Sequence, residues 1–306
     1  MNIKTVTFKD VDGILCDTGK LKALYLPSYG GKMVSLKDSE DKEWLTQDEN
    51  TKYIPPRLGN SYVECEVSGA DEMFPTIDPC SWNGKEYPCH GEVCRVEHKV
   101  KVHENSLEME YGSLELGYSY QKTISQGSNG EIVAKYTIKN TGAEDMPCFW
   151  ALHLMFAAVE GGKVFVDSDI ENTAEIMFDD TQKYGMRGDI ITISKEHLTS
   201  KALNGEAYKF YYLAKLKNGI CGYFDKSIQR GIALKFDSEK IPFLGVWMNN
   251  GGFKNMYSAA IEPCTLPFDT PIEAQKRGET LILEPGMEYS FDICFSVFSE
   301  IEDQNR

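Results

Sequence analysis

Residues 118–140 read YSYQKTISQGSNGEIVAKYTIKN, two runs of alternating apolar and polar residues on either side of a polar turn. Alternation with a period of two places the apolar side chains of a strand on one face of a sheet. The segment SQGSNGE between the runs is typical of a turn between strands. This stretch therefore predicts two half-buried β-strands. The apolar positions that define them are Tyr118, Tyr120, Ile132, Ala134, Tyr136 and Ile138.

Similar patterns extend in both directions from this stretch. Residues 94–102 alternate and predict a further half-buried strand, residues 208–236 predict three more, and residues 289–297 carry their apolar side chains on one face. Residues 148–159 are apolar on both sides, which predicts a strand buried on both faces, with a buried helix as the alternative. Residues 189–200 predict a short helix.

The domain organisation follows from this succession of short strands. Filling 306 residues with such strands needs roughly fifteen or more of them, and turn residues separate them at regular intervals. The chain contains no linker, no repeat of fixed period and no low-complexity tract. We therefore expect one domain, residues 1–306, with an all-β fold, and favour a large antiparallel sandwich over a barrel. The last residues, SEIEDQNR, are expected to fray.

Composition restricts the class of ligand. The formal net charge is −15 and the sequence pI is about 4.9, whereas nucleic-acid binding depends on clustered Lys and Arg. No nucleic-acid partner is expected, and a small neutral ligand fits better. The basic residues Lys99 and Lys101 alternate with apolar ones, which is typical of the solvated face of a strand.

The cysteines and the hydropathy pattern indicate the cellular compartment. Nine cysteines are an odd number, and the first residues, MNIKTVTFKD, lack a basic stretch followed by an apolar core. Reduced thiols in a cytoplasm are the simplest interpretation. No apolar run approaches the roughly 18 residues that a bilayer span requires, so no membrane association is expected.

One irregular segment is the first place to look for a functional site. Residues 69–92 read GADEMFPTIDPCSWNGKEYPCHGE and place Asp71, Glu72 and His90 among aromatic residues, prolines and glycines without a helical or strand period. Loops carry a large share of binding and catalytic groups. The alternative is a long surface connection with ordinary turn chemistry.

Two further residues are ionisable side chains in apolar runs. His153 lies in WALHLMF, and its side chain is suited to proton transfer near neutrality, although a histidine in such a run is more often a core residue. Glu262 follows Ala259-Ala260-Ile261, where burial of a carboxylate would raise its pKa toward the range of a general base. The alternative for Glu262 is a strand end that faces solvent.

Other motifs add binding candidates and exclude several classes of enzyme. Trp247 precedes a Gly-Gly turn and offers a flat face to a sugar ring, with core packing as the alternative. The cysteines around His90 lack the tight spacing of a structural zinc site, so we expect no metal. The sequence has no His-Glu-x-x-His motif, no phosphate-binding glycine loop and no Gly-x-Ser-x-Gly elbow.

Taken in order, these short motifs resemble the aldose 1-epimerase (galactose mutarotase-like) superfamily over about residues 25–298. Each motif is short, and the resemblance depends on their order and spacing. The motifs are Gly30-Gly31 before a strand, Asp71-Glu72-x-Phe74-Pro75-Thr76-Ile77, His90-Gly91-Glu92, Trp150-x-x-His153, Gly245-x-Trp247, and Glu262-Pro263 followed by Pro267-x-Asp269.

The resemblance implies a β-supersandwich, a very large antiparallel sandwich whose concave face binds a free sugar without a cofactor. It implies an isomerase in which His153 donates a proton to the ring oxygen while Glu262 removes the proton of the anomeric hydroxyl. His90 would help to hold the sugar, and Asp71, Glu72 and Trp247 are the further candidates for sugar contacts. The expected partner is a small-molecule carbohydrate, and a homodimer is compatible with this expectation.

The chain departs from galactose-type mutarotases at one motif, because Asp71-Glu72 lies where they carry an Asn-Arg pair. Two alternatives to the epimerase therefore stay open. One is a non-catalytic carbohydrate-binding protein on the same scaffold. The other is a lyase or hydrolase that uses the carboxylates of residues 69–92.

Overall fold

The structure is a computed structural model that describes residues 1–299. The frayed tail expected at SEIEDQNR lies outside the described residues, apart from its first serine. Within residues 1–299 the chain forms 23 β-strands and one α-helix. The strands are β1 (Asn2–Phe8), β2 (Val11–Asp17), β3 (Leu21–Leu26), β4 (Lys32–Asp38), β5 (Ala70–Met73), β6 (Cys80–Trp82), β7 (Lys85–Tyr87), β8 (Lys99–Val102), β9 (Ser106–Ser113), β10 (Tyr118–Gln126), β11 (Ile132–Asn140), β12 (Met146–Pro147), β13 (Ala151–Ala157), β14 (Lys163–Val166), β15 (Thr173–Asp179), β16 (Ile190–Thr192), β17 (Glu206–Tyr212), β18 (Ile220–Asp225), β19 (Arg230–Phe236), β20 (Phe243–Asn250), β21 (Tyr257–Cys264), β22 (Ile282–Leu283) and β23 (Glu288–Phe298). The helix α1 is Pro271–Lys276, and 3₁₀ turns occupy Pro27–Tyr29, Tyr62–Glu64 and Val93–Arg95.

Two large sheets contain most of these strands. The first has 11 strands in the order β1-β2-β3-β4-β5-β13-β21-β20-β17-β15-β16, and the second has eight in the order β14-β18-β19-β23-β11-β10-β9-β8. The strand pairs in both sheets are antiparallel, and residues 1–299 thus confirm the expected all-β antiparallel sandwich. Two short pairs, β6 with β7 and β12 with β22, complete the strand set.

The main core lies between the two sheets. Strands β10 and β11 alternate buried and partly exposed residues along their length, as the sequence predicts, and their inward side chains meet those of the 11-stranded sheet. Trp150 Nε1 donates a hydrogen bond to Tyr120 Oη at 3.1 Å, and the Tyr136 and Trp150 rings lie 4.9 Å apart. The alternation read from the sequence therefore identifies the side chains that fill the sandwich.

A buried ion pair crosses this core. Lys122 Nζ on β10 contacts both carboxylate oxygens of Glu72 on β5, at 2.9 and 2.7 Å, and also donates to the Gly31 carbonyl at 2.7 Å. Tyr136 Oη donates to the same carboxylate at 3.0 Å. Both charged side chains are almost completely buried, so the hydrogen bonds replace the water that each ion gave up on folding.

Four points of the sequence analysis need correction. Residues 69–92 are not irregular throughout, because Ala70–Met73 forms the interior strand β5 of the larger sheet. The strand predicted at 94–102 is limited to Lys99–Val102, and all four residues are exposed because β8 is the edge strand of its sheet. The helix predicted at 189–200 is a turn region containing β16.

The fourth correction is the helix α1, which the sequence analysis missed. The sequence contains a start signal for this helix, because Thr270 directly precedes Pro271. In the structure the Thr270 hydroxyl accepts a hydrogen bond from the Glu273 amide. This is the arrangement of an N-cap residue followed by proline at the first helical position.

For residues 148–159 the sequence left a strand and a buried helix as alternatives. The structure shows the strand β13, which is buried on both faces.

The core ion pair gives a stability prediction. Substitution Lys122→Met is expected to lower the free energy of unfolding by about 3–5 kcal/mol, because it leaves the Glu72 carboxylate buried without its cation. Urea denaturation measures this difference. The matched control is Lys139→Met, which removes a lysine from the exposed Lys139–Glu288 pair and is expected to cost less than about 1 kcal/mol. Equal losses in the two variants would contradict the interpretation.

Candidate active site

A cavity of about 340 Å³ lies on the face of the 11-stranded sheet that points away from the eight-stranded sheet. A volume of a few hundred Å³ is typical of sites for small molecules. Strands β13, β15, β17, β20 and β21 contribute to it, together with the segments that cover the sheet. The residues that line it are Tyr62, Val63, Val67, Ile77, Asp78, His90, His153, Met155, Met177, Phe178, Arg187, Lys209, Trp247, Phe253, Glu262 and Asp269.

The strand register forms one row of side chains across five strands on this face. His153 on β13 pairs with Asp71 on β5, Glu262 on β21 pairs with Gly245 on β20, and Gly245 pairs with Tyr211 on β17. The pairs on either side in the β13–β21 ladder place His153 opposite Glu262. Directly opposed residues point to the same face of a sheet, and so the row brings these side chains together.

The acid and base candidates meet in the middle of this row. His153 Nε2 lies 3.5 Å from Glu262 Oε1, and the Glu262 side chain is completely buried while His153 is slightly exposed to the cavity. Burial lowers the pKa of His153, and the Glu262 carboxylate partly opposes this effect. The structure thus brings together the two residues that the sequence identified from separate apolar runs.

Lys209 supplies the cation that balances the buried carboxylate. Its Nζ contacts Glu262 Oε2 and Asp269 Oδ1, both at 2.8 Å. Tyr211 Oη donates to the same two atoms at 3.4 and 3.1 Å. The two carboxylates raise the pKa of Lys209 against the opposing effect of its burial, so the lysine is held as a cation. The sequence analysis missed both Lys209 and Tyr211.

Gly245 makes the contact between Tyr211 and Glu262 sterically allowed. A Cβ atom at position 245 would lie 2.8 Å from Cε1 of Tyr211 and 3.3 Å from Cβ of Glu262. The Tyr211 ring therefore crosses over the glycine and reaches the carboxylate one strand farther on. The reason for a glycine in this strand is close approach of a side chain, because no turn occurs there.

His90 forms another part of the cavity wall. Its ring stacks on Tyr62 with centroids 3.7 Å apart and planes 10° apart. Burial lowers the pKa of His90 well below its usual value, and the neighbouring His153 adds to the effect, so its ring is neutral. The Cys89 thiol lies 3.0 Å from Nδ1 of His90. A thiol that donates to Nδ1 leaves the proton on Nε2, where a neutral histidine is a hydrogen-bond donor.

The two carboxylates of β5 point in opposite directions. Asp71 is buried beside His153 in the row, where Oδ2 accepts hydrogen bonds from Lys32 Nζ at 2.8 Å and Tyr62 Oη at 2.5 Å. Glu72 points into the core and pairs with Lys122. Neither residue lines the cavity, because Asp71 lies beneath its surface and Glu72 lies behind the sheet. The structure does not support the predicted sugar contact of Glu72.

Trp247 belongs to an aromatic wall at one side of the cavity. Its ring is stacked on Phe178 with centroids 5.4 Å apart and packs edge-on against Phe253 at 5.8 Å. The part of the ring that stays accessible faces the cavity. A partly exposed apolar ring next to hydrogen-bonding groups is the arrangement that suits one face of a sugar ring.

A charged cluster lies at the rim. Arg187 contacts Glu273 at 2.8 Å and Asp78 at 3.8 Å, joining the loop that precedes β16 to α1 and to the segment after β5. Burial raises the pKa of Asp78, and the nearby Asp269 adds to this effect. Lys209 and Arg187 are the two cations among the residues that line the cavity, and each of them is paired with carboxylates.

Three observations on residues 1–299 concern metal binding, membrane-spanning helices and disulfides. Within that range no group of three or more His, Cys, Asp and Glu side chains is arranged to hold a metal ion. No helix in the same range is long and apolar enough to cross a bilayer. The nine cysteines, all of which lie in the described part of the chain, are free thiols.

Neither a protein-family model nor a curated protein sequence matches the chain. Solved structures do match it. A galactose mutarotase-like protein from Clostridium acetobutylicum is 18% identical, with 98% of this chain and 99% of that chain covered and a TM-score of 0.69. A candidate aldose 1-epimerase from Klebsiella pneumoniae is 15% identical, with coverages of 99% and 85% and a TM-score of 0.74.

A candidate aldose 1-epimerase from Escherichia coli K12 is similar to the same extent. It is 13% identical, with 97% of this chain and 99% of that chain covered and a TM-score of 0.67. Similarity at these identities shows a shared fold. The galactose mutarotase-like sandwich predicted from the sequence is therefore confirmed as the fold of this chain.

The glycine in the row gives a prediction that does not depend on any activity. Substitution Gly245→Ala is expected to lower the free energy of unfolding by about 1–3 kcal/mol, because the new methyl group overlaps the Tyr211 ring. In a Tyr211→Leu background the loss should be clearly smaller. Urea denaturation of the four proteins measures the coupling. Gly112→Ala, where the nearest atom is 3.8 Å away, is the control and is expected to be near neutral. Strict additivity of the two changes would contradict this account.

Proposed function

We propose that this chain is an aldose 1-epimerase-like enzyme that interconverts the α and β anomers of a free hexose or hexose derivative. The observation that carries the proposal is the contact of His153 Nε2 with Glu262 Oε1, 3.5 Å apart at the cavity. Ring opening of a hemiacetal needs a base at the anomeric hydroxyl and an acid at the ring oxygen. Both oxygens are bonded to one carbon, and two groups this close together serve both of them.

The reaction uses the two oxygens of Glu262 differently. Oε2 is held by Lys209 and Tyr211, whereas Oε1 accepts no hydrogen bond from any residue between 1 and 299. Oε1 therefore takes the proton from the anomeric hydroxyl. As the C1–O1 double bond forms, the bond between C1 and the ring oxygen breaks, and the ring oxygen takes the proton from His153 Nε2. Rotation about C1–C2 and the reverse transfers then close the ring on the other face.

The remaining residues of the cavity provide binding. His90, neutral and stacked on Tyr62, offers a donor to a sugar oxygen, and Trp247 offers an apolar face. A neutral hexose suits the cavity better than a phosphorylated one, because Lys209 and Arg187 are already engaged by carboxylates. The net charge of −15 also disfavours the approach of an anion.

A sugar-binding protein without turnover is the second candidate, and the Lys209–Glu262 ion pair favours it. The lysine 2.8 Å from the carboxylate supplies the partner that a buried acid requires, so the burial of Glu262 is explained without a role in proton transfer. Calorimetry and polarimetry together separate the two functions. Heat of binding for a sugar whose mutarotation is not accelerated would indicate the binding protein.

The proposal is tested with freshly dissolved α-glucose and α-galactose in a polarimeter, after subtraction of the spontaneous rate. Substitution Glu262→Gln is expected to reduce kcat by about 10²- to 10⁴-fold with little change in sugar affinity, because the amide keeps the shape of the side chain but accepts no proton. Glu288→Gln, at an exposed site on the other sheet, is the control. A Glu262→Gln variant that retains the wild-type rate would assign Glu262 a structural role.

The pH dependence of the rate follows from the same two groups. Glu262 has to be ionised to accept the proton of the anomeric hydroxyl. His153 acts only when protonated, so activity is lost as pH rises through its pKa, which burial lowers. The alkaline limb of kcat/KM is therefore expected below the usual histidine value of about 6.5. An alkaline limb above pH 8 in the free enzyme would point to a different acid.

A further inference from the structure

Three buried polar atoms without a partner in the described part of the chain lie in the middle of the cavity row. Asp71 Oδ1, His153 Nδ1 and Glu262 Oε1 are buried, and none of them is hydrogen bonded by another group of residues 1–299. The three residues occupy neighbouring positions on β5, β13 and β21. An unpaired polar atom in a protein interior costs about 1–3 kcal/mol, so three in succession call for a chemical reason.

We propose that Asp71 is a positioning residue that acts through His153, because its buried carboxylate, one cross-strand position away, favours the protonated imidazole. The inference deepens the proposed function and rests on it, because His153 needs a proton only if it acts as the acid. Asp71 is the direct cross-strand neighbour of His153 on the same face of the sheet, and the two side chains interact through charge without a hydrogen bond between them. Asp71 therefore does not touch the sugar in this proposal.

His153 needs such a carboxylate because its environment disfavours the charged form. Burial is the main cause that lowers its pKa, while Glu262 and Asp71 act in the opposite direction. The charged and titratable groups that face it are Glu262 on β21, Asp71 on β5, Lys209 on β17, Lys32 on β4 and His90. The two lysines disfavour the imidazolium, and the two carboxylates oppose them.

The two carboxylates differ in what the reaction does to them. Glu262 becomes neutral when it accepts the sugar proton, and it regains its charge only after ring closure. Asp71 takes no part in proton transfer and keeps the same charge throughout the cycle. A constant negative charge beside His153 therefore favours return of the proton to the imidazole when the ring closes.

The surroundings of Asp71 hold its carboxylate in place. Lys32 Nζ and Tyr62 Oη both bind Oδ2, and Lys32 is itself anchored by the Glu66 carbonyl at 2.8 Å. These donors leave Oδ1 free. The neighbouring Glu72 has the structural task in the core, where its oxygens accept bonds from Lys122 and Tyr136. The two adjacent carboxylates thus have separate roles on the two faces of one strand.

The test measures the pKa of His153 directly, by NMR titration of protein with isotope-labelled histidine. The chain has five histidines, and His153→Gln assigns the signal. Substitution Asp71→Asn is expected to lower the pKa of His153 by about 1 unit, because a negative charge is lost while Lys32 remains. Asp71→Asn combined with Lys32→Met leaves no unpaired buried ion. Its His153 pKa should lie between those of wild type and Asp71→Asn, and this variant also serves if the single one does not fold.

Asp167→Asn is the matched control. Asp167 is a buried aspartate outside the cavity that accepts hydrogen bonds from the Lys217 and Asn218 amides, and its substitution removes the same charge. The pKa of His153 should not change in this variant. A His153 pKa in the Asp71 variants equal to or above the wild-type value, or an equal shift in Asp167→Asn, would overturn the inference.

Polarimetry links the titration to turnover. The alkaline limb of the Asp71→Asn rate profile should move to lower pH by the same amount as the titration, so that one pH unit above the wild-type limb the rate falls about tenfold further. A wild-type protein that accelerates no mutarotation would remove the proposed function, while the titration would still decide the role of Asp71. An active wild type with an unmoved limb in Asp71→Asn would remove the inference alone.

Discussion

The ion pair between Glu262 and Lys209 is the interaction on which the rest of the site depends. Glu262 has no solvent exposure, and a carboxylate in such a position has to be paired or protonated. Lys209, two strands away in the sheet, pairs with Oε2 of Glu262. Its ammonium group also contacts Asp269, so two carboxylates share one positive charge. One oxygen of Glu262 is thereby fixed in orientation, and the other is left facing His153. The proposed chemistry of the site follows from the different surroundings of the two oxygens of Glu262.

The period of two in a β-strand separates the charge on the cavity side of β5 from the charge in the core. On β5, Asp71 points to the cavity side and Glu72 to the core, and each has its own lysine, Lys32 and Lys122 respectively. A shift of the strand by one residue would exchange the two faces. The core ion pair therefore does more than join the sheets, because it favours the one register in which Asp71 lies beside His153.

Sequence reasoning found His153 and Glu262 because each is an ionisable residue in an apolar run. The same signal exists at Lys209, in the segment EAYKFYY, but a lysine in a strand is usually on the solvated face. That interpretation holds for Lys101, which is exposed, and fails for Lys209, which is buried. A single sequence does not distinguish the two lysines, because the difference lies in the carboxylates that face them.

The sequence by itself determined the strands with a clear alternation, such as β10 and β11, and which of their side chains face inward, because alternation of apolar residues is a local property that burial enforces. It also determined that the fold is an all-β sandwich, since such segments follow one another with turns between them. Only the tertiary structure decided which strands are neighbours. Strands β5, β13, β21, β20 and β17 are far apart in the chain and adjacent in the sheet, and their register alone brings Asp71, His153, Glu262 and Tyr211 into one row. That register depends on hydrogen bonds and packing between distant segments, which no local pattern records.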